Sequence, residues 1–267
     1  MVVMEASVSE RRADRIIPTL GFTDHFHVPY VGFAGGLRVL WNSNIVYIEV
    51  LAYFTQAVHA MVNFNNTGEW IFSTTYASPN LVQKGIMWDS LRTISIHMYL
   101  PWLVVDDLNN VATSSEKLGG ADFIFHRAST FSRRIEDCQL MDLGFKGTLF
   151  TWMGKRRGIA LVQERLNHAL TNDNWRLRSP EASVFHLPRV FFDHNPILID
   201  LNCYAAPSFP RPFRFETPII YVTCLISLLL LSSPGIAMCL VMFSKINDVC
   251  LLVLRDAASL LIILITL

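Results

Sequence analysis

Charge is scarce in this sequence, and it cancels. Asp, Glu, Lys and Arg make up 16% of 267 residues, and 22 basic side chains face 22 acidic ones for a formal net charge of zero. Bulk charge therefore announces no polyanionic partner, although a local basic face stays open. Paired cysteines are also missing. The five cysteines (Cys138, Cys203, Cys224, Cys239 and Cys250) form no Cys-x-x-Cys pair and no zinc-like Cys/His spacing. They read as small buried hydrophobes of a reducing compartment. The first nine residues carry Glu5 and no long apolar core, so a signal peptide is not expected. The expected location is intracellular, in nucleus or cytoplasm, and the short glycosylation-like triplet Asn65-Asn66-Thr67 carries little weight against that. No internal repeat is present.

What the sequence does have is an uneven distribution of apolar residues. Residues 1–216 hold all but four of the charged side chains, and 217–267 hold only Lys245, Asp248, Arg255 and Asp256. The expected organisation is one domain over 1–216 followed by an apolar, helical tail over 217–267. Ile219 to Phe243 is a run of 25 residues without a charge. At about 1.5 Å per helical residue it is long enough to span a hydrocarbon core of roughly 30 Å. Pro234-Gly235 interrupts it, and Arg255-Asp256 makes the second apolar run, 249–267, a costly span. A translated non-coding tail is the alternative to a membrane segment.

Within 1–216, short apolar or alternating runs predict strands at Val2–Met4, Leu37–Trp41, Ile45–Leu51, Trp70–Tyr76, Trp102–Val105 and Asn195–Leu201. Helices are predicted from Ser9-Glu10 to about Leu20 (troubled by Pro18), over Leu81–Ile96 around Ile86, Trp88 and Leu91, and over Phe131–Leu140. Strands outnumber helices and alternate with them irregularly, which favours packed sheets over a regular βαβ array.

Several short motifs follow one another in a telling order. They are Met4-Glu5, Leu20-Gly21-Phe22, Gly32-Phe33-Ala34-Gly35-Gly36, Pro101-Trp102-Leu103-Val104-Val105-Asp106-Asp107-Leu108-Asn109 and Glu116-Lys117-Leu118-Gly119-Gly120. Then come Cys138-Gln139-Leu140-Met141-Asp142-Leu143-Gly144-Phe145, Phe150-Thr151-Trp152, Glu164-Arg165-Leu166-Asn167-His168-Ala169-Leu170, Asp193-His194-Asn195-Pro196-Ile197 and Pro212-Phe213-Arg214-Phe215-Glu216. Their order and spacing over about four-fifths of the chain resemble the endonuclease/exonuclease/phosphatase (DNase I-like) superfamily. The resemblance is specifically to the endonuclease domain of plant-type non-LTR (LINE) retrotransposons.

That resemblance implies a four-layer α-β-β-α sandwich of two packed sheets, an α/β (α+β) fold. It also implies phosphodiester hydrolysis with Mg²⁺ or Mn²⁺, which takes hard oxygen ligands, a base for water and donors for the developing charge. By resemblance Glu5 and Asp193 are metal ligands. Asp107 orients or deprotonates the attacking water, Asn109 holds the phosphate, His194 contacts the scissile phosphate and Tyr76 approaches it. Read from the residues alone, Asp107 and Asn109 share a face if strand geometry continues past Val105, whereas an Asx-rich turn is the plainer alternative. Tyr76 is equally a core aromatic. Arg133, Arg134, Lys155, Arg156 and Arg157 are the basic clusters best suited to a nucleic acid, and also ordinary solvated charge. No small-molecule cofactor is expected.

The chain departs from the pattern in places. Asn167 stands where the family has the aspartate that orients the histidine. Asp106 replaces a glycine, Leu108 a phenylalanine and Phe192 a serine. The family's first strand, before Met4-Glu5, has no counterpart in this sequence. The expectation is a DNA endonuclease. The alternatives are a catalytically dead remnant that at most binds nucleic acid, and a membrane-anchored remnant held through 219–243.

Overall fold

The structure, a computed structural model, describes residues 1–4, 10–29, 36–64, 68–155, 161–189, 193–201 and 261–266. In chain order it begins with β1 (Val2–Met4), α1 (Glu10–Ile16), β2 (Asp24–Val28), β3 (Leu37–Trp41), β4 (Val46–Phe54), β5 (Ala57–Phe64) and β6 (Glu69–Tyr76). Then follow α2 (Leu81–Ile96), β7 (Trp102–Asp107), β8 (Lys117–Leu118), α3 (Phe125–Asp137), β9 (Met141–Asp142) and β10 (Lys146–Gly147). The remainder is β11 (Trp152–Lys155), β12 (Leu161–Glu164), β13 (Asn167–Thr171), α4 (Asp173–Arg178), β14 (Ser183–His186), β15 (Ile197–Asp200) and β16 (Leu261–Thr266).

Two large sheets form. One runs β10-β14-β15-β16-β1-β3-β2, the other β4-β5-β6-β7-β13-β9, and a small third sheet runs β11-β12-β8. Strand β7 shows why two sheets stack. Its residues alternate faces, and both faces are apolar. Leu103 and Val105 join Val2, Met4, Val39, Val184, Ile197 and Ile199 in a core between the sheets. Trp102 and Val104 face the other way, into a cluster with Met87, Trp88 and Leu91 of α2 and Phe131 of α3. On the far side, Ala13 and Ile17 cover Val3 and Leu40 of the seven-stranded sheet. The order of layers is helix, sheet, sheet, helix, as the burial pattern of each strand requires.

Local chemistry sets the element ends. Asn80 caps α2, its side chain accepting from the backbone N–H of Val82 at 2.9 Å and Gln83 at 3.2 Å. Such a cap contributes about 1 kcal/mol. Pro18 does not end the first helix outright. It tightens the last turn into a 3-10 segment, Ile17–Leu20, closed by left-handed Gly21 at φ 80°. Asn172 caps α4 through Trp175 N–H at 3.0 Å and also accepts the Trp102 N–H at 2.9 Å, tying the helix to the start of β7.

Several expectations are corrected. Helix α2 has the predicted bounds, but Ile86 is exposed and Met87 is its buried neighbour. Helix α3 starts six residues before Phe131, and Cys138 and Leu140 lie beyond its end. Strands β2, β5, β13 and β14 went unpredicted. The apolar tail, expected to be helical, contributes a strand at its end: β16 lies between β15 and β1. The β-branched residues in Leu-Ile-Ile-Leu-Ile-Thr suit a strand with neighbours on both sides. Among the described residues no helix is long and apolar enough to cross a membrane. The segment 219–243 lies outside the described residues, as do Glu5, Asn65–Thr67, Arg156, Arg157 and Cys203, Cys224, Cys239 and Cys250. Cys138 is buried and free, and burial pushes its thiol up to about 12, as fits an inert core residue.

Candidate active site

One rung of the six-stranded sheet builds the centre of the site. Parallel pairing sets Tyr76 of β6 beside Asp107 of β7, and antiparallel pairing sets Asn167 of β13 on the other side of Asp107. Side chains on one rung share a face, so these three residues, 91 positions apart at the extremes, meet at a strand end. Strand β7 runs through Asp107, so the Asp106-Asp107 pair is strand and not turn. The chain turns afterwards. Asn109 is left-handed at φ 48°, its N–H donates to Asp107 Oδ1 at 3.2 Å, and its side-chain amide donates to Ala77 O at 2.8 Å. The shared location of Asp107 and Asn109 thus comes from an Asx turn, not from continued strand geometry; Asn tolerates that backbone conformation well.

His194 enters from the other sheet. An isolated bridge to Trp152, with Asn195 N–H on Thr151 O at 2.6 Å and Met153 N–H on Asp193 O at 2.9 Å, fixes the loop before β15. The imidazole then spans the rung: Nδ1 lies 2.9 Å from Asn167 Oδ1, and Nε2 lies 3.6 Å from Asp107 Oδ2. His194 and Asp107 are both buried. Burial raises the Asp107 carboxyl above its ordinary range, opposed by the charges of His194 and Lys84 and by the Asn109 N–H. Asp193 accepts from Trp152 Nε1 at 2.9 Å.

These groups open onto a cleft of about 370 Å³, lined among others by Tyr76, Lys84, Asp107, Asn109, Lys117, Asp122, Arg127, Trp152, Glu164, Asp193 and His194. The endonuclease domain of TRAS1, a telomere-specific non-LTR retrotransposon, superposes with a TM-score of 0.51 at 14% identity, over 66% of this chain and 78% of that one. The chain has a DNase I-like fold. An endonuclease/exonuclease/phosphatase family protein from Bacteroides thetaiotaomicron is also similar (TM-score 0.47, 12% identity, 70% and 78% covered). So is the human Nocturnin catalytic domain with bound sulfate (0.44, 13%, 79% and 75%). No family model and no curated protein matches the sequence.

The sequence motifs hold the cleft together by pairing with each other. Arg165 donates from Nη1 to Glu116 Oε1 at 2.7 Å and from Nη2 to both Asp142 oxygens at 2.9 and 2.8 Å, with its guanidinium 4.7 Å from the centre of the Phe145 ring. Lys117 and Glu164, opposite each other in register, form a second ion pair. Thr151 accepts the N–H groups of Leu166 and Asn167 at 2.9 and 3.0 Å, which sets the start of β13 and hence Asn167. Gly119, at φ 75°, has no room for a Cβ, which would stand 2.4 Å from Leu161 O.

Of the basic residues singled out in the sequence, Arg133 and Arg134 lie further along α3 and outside the cleft lining. Arg134 is bound to Asp89 at 2.7 Å. Lys155 has its backbone in β11, with its side chain outside the described residues. Among the described residues the cleft's cations are Lys84, Lys117 and Arg127, none of which sequence reasoning assigned to the site. Lys84 carried a usable signal. It falls on the buried face of α2, four residues before Trp88 and seven before Leu91. A lysine there has a reason to be inside: its Nζ donates to Asn109 O at 2.8 Å, and burial together with Arg127 lowers its pKa to about 8.

Asp106 is the site's misfit. It is fully buried, its Oδ2 accepts from the Thr75 hydroxyl, its Oδ1 has no hydrogen-bond partner among the described residues, and burial followed by Asp107 raises its pKa well above 3.8. Asp106→Asn keeps an acceptor for Thr75 and removes the ionisable group. The variant is therefore expected to be more stable at neutral pH by about 2 kcal/mol. As pH rises from 3.8, the unfolded Asp106 ionises first and the natural chain loses stability relative to the variant. The advantage should shrink toward zero below about pH 4, and urea titrations of both chains across pH 4–8 test this. A gain that does not vary with pH excludes ionisation as its cause.

The donor set suits magnesium in kind. Asp107, Asp122, Glu164 and Asp193 bring carboxylate oxygens to one cleft, and the ion commonly takes only one or two carboxylates and keeps several waters. Among the described residues no three acidic, His or Cys groups gather closely enough to hold a metal by themselves.

Proposed function

We propose that this cleft hydrolyses phosphodiesters in DNA, as the endonuclease of a plant-type non-LTR retrotransposon descendant working inside the cell. The observation that carries the reading is His194 bridging Asn167 and Asp107 over a cleft that also holds Asn109 and three cations. Lys84 and Arg127 offset phosphate charge beside the carboxylates of Asp107, Asp122 and Asp193, while Lys117 is already paired with Glu164. Asp107, its carboxyl made more basic by burial, takes the proton from the attacking water. His194 donates from Nε2 to a phosphate oxygen as negative charge builds there. Asn109 and Tyr76 fix the phosphate beside them. Glu5 and Asp193 are the residues that would hold Mg²⁺ or Mn²⁺, which when bound supplies Lewis-acid neutralisation of the phosphate oxygens.

Nicking of supercoiled plasmid in Mg²⁺ tests this directly. The chain should convert supercoiled to open-circular DNA, and Asp107→Ala should slow the conversion by at least about 10²-fold, the low end of a general-base contribution. Nicking that survives Asp107→Ala refutes the assignment. The second reading, a remnant that binds nucleic acid without cutting it, is favoured by one observation: the amide of Asn167 where a charged partner for His194 would stand. Silence from both the natural chain and its Asn167→Asp variant, with retained DNA binding, selects the remnant.

A further inference from the structure

We propose that the wall of the cleft between α2 and α3 is a nucleotide subsite, where Lys84 and Arg127 take the phosphate next to the one being cut and Phe123 with Ile124 receive its base. All four residues line the cleft. Ile124 is exposed and Phe123 half-buried. Arg127 follows Ile124 by one helical turn, its N–H donating to Ile124 O at 3.0 Å, so the two side chains rise from one face of the start of α3. Lys84 reaches in from α2. Its Nζ donates to Asn109 O, which places it beside the residue assigned above to the scissile phosphate.

The charge pattern of the two helices points to an anion. Away from the cleft, α2 and α3 oppose unlike charges, Asp89 and Arg134, at 2.7 Å. At the cleft they bring two cations together. Burial and then the charge of Arg127 lower the Lys84 ammonium, and the push of Arg127 exceeds the opposing pull of Asp107 or of Asp106. Like charges facing one another are unfavourable until an anion lies between them. Among the described residues no carboxylate does so. Arg127 forms no ion pair there. Asp122 lines the same cleft but is bonded to neither cation, Glu164 is paired with Lys117, and Asp193 accepts from Trp152. Phosphate oxygens suit both cations, because Arg donates through a planar fork and Lys acts as a point charge. A free phosphate would use the cations alone and leave Phe123 and Ile124 without a contact. A nucleotide uses all four, since an aromatic face stacks on a base of any identity.

The subsite's link to cutting rests on the nuclease reading; its binding of a nucleotide does not, and the experiment separates them. A short labelled oligothymidylate is titrated onto the full chain over a series of salt concentrations, with EDTA present to prevent cutting. Arg127→Ala should weaken binding about tenfold and reduce the slope of log K against log salt by about 0.7, the value for one single-strand phosphate contact. Arg127→Lys should restore the slope. Arg92→Ala removes an exposed charge of α2 outside the cleft lining and should change neither quantity. Equal losses in Arg92→Ala and Arg127→Ala overturn the inference, because general charge then explains the binding. Phe123→Ala should weaken the thymidine strand about tenfold and leave a strand of abasic residues unaffected. Equal weakening of both strands overturns the place given to the base. Inorganic phosphate should compete no better than chloride at equal ionic strength, and stronger competition assigns the two cations to free phosphate instead. A natural chain that binds no strand overturns the whole inference. Binding that meets these expectations in a chain that cuts no DNA in Mg²⁺ removes the nuclease reading and leaves the subsite in place.

Discussion

Asn167→Asp should raise the single-turnover rate of DNA nicking by about 10²-fold. The upper bound is the roughly 10⁴-fold that the reverse change costs in the Ser-His-Asp hydrolases. The expected gain is smaller here for a structural reason. In those enzymes an asparagine leaves the histidine in the wrong tautomer, whereas the Asn167 Oδ1 already faces His194 Nδ1 at 2.9 Å and can accept its proton in the correct one. What the amide lacks is charge, and a carboxylate at 167 would stabilise the imidazolium as His194 works against the phosphate. The substitution also puts a second carboxylate on the Asp107 rung, so one imidazole must serve both. Melting curves should therefore accompany the kinetics. An unchanged rate in a folded Asn167→Asp chain means that Asn167 is not what limits the site, and the role given to His194 fails with it.

Arg165→Met should cost about 3–5 kcal/mol, the range for removing one partner from a buried ion pair. For a domain of this size that lowers the melting temperature by roughly 10 °C. The guanidinium is nearly inaccessible and holds Glu116 and Asp142, which lie in segments 26 residues apart. Met fills a similar volume and leaves both carboxylates without their cation. Burial alone would raise Asp142. The hydrogen bond and charge of His168, then Arg165 and the Gly144 N–H, outweigh it and hold the carboxyl well below 3.8. A depressed carboxyl contributes its stability above the unfolded value and loses it as pH falls through the folded one. The deficit of Arg165→Met should accordingly be full at pH 5–8 and narrow in strong acid. Restoring neutrality with Glu116→Gln and Asp142→Asn on top of Arg165→Met should recover part of the loss. A melting temperature within 2 °C of the natural chain would show that the cluster is not a cornerstone.

How much of this was legible beforehand depends on how local each feature is. The bounds of α2 could be read directly, because the helical spacing of its apolar residues lies within one stretch of chain. Strand β7 could also be read, since four consecutive apolar residues before two aspartates mark a buried strand end. Strands β5, β13 and β14 were missed because His59, Asn167, His168 and His186 break their apolar pattern. In the structure each of these side chains has a specific partner for one polar atom, such as Ser73 for His59 Nδ1 at 2.8 Å and Asp142 for His168 Nδ1 at 2.9 Å. A partner 14 or 26 residues away is invisible to a local pattern.

Resemblance placed Asp107, Asn109, Asp193 and His194 as candidates. The tertiary structure added that they share one cleft with Lys84 and Arg127, and it sets Asn167, which the resemblance had already placed with the histidine, 2.9 Å from His194 Nδ1.

By itself the sequence determined the chemical inventory: which carboxylates, amides and imidazole are available, where helices with clear periodicity start and stop, and which stretches are too apolar to stay in water. The tertiary structure decided which of those groups meet, and where the apolar end of the chain goes. Strand register is the reason. A strand's side chains are fixed by its own residues, but its neighbours are chosen by backbone groups that every residue carries alike. Nothing local in Leu261–Thr266 could say whether it would lie in a bilayer, fold as a helix or close a sheet. Only the two open edges of β1 and β15 settle that.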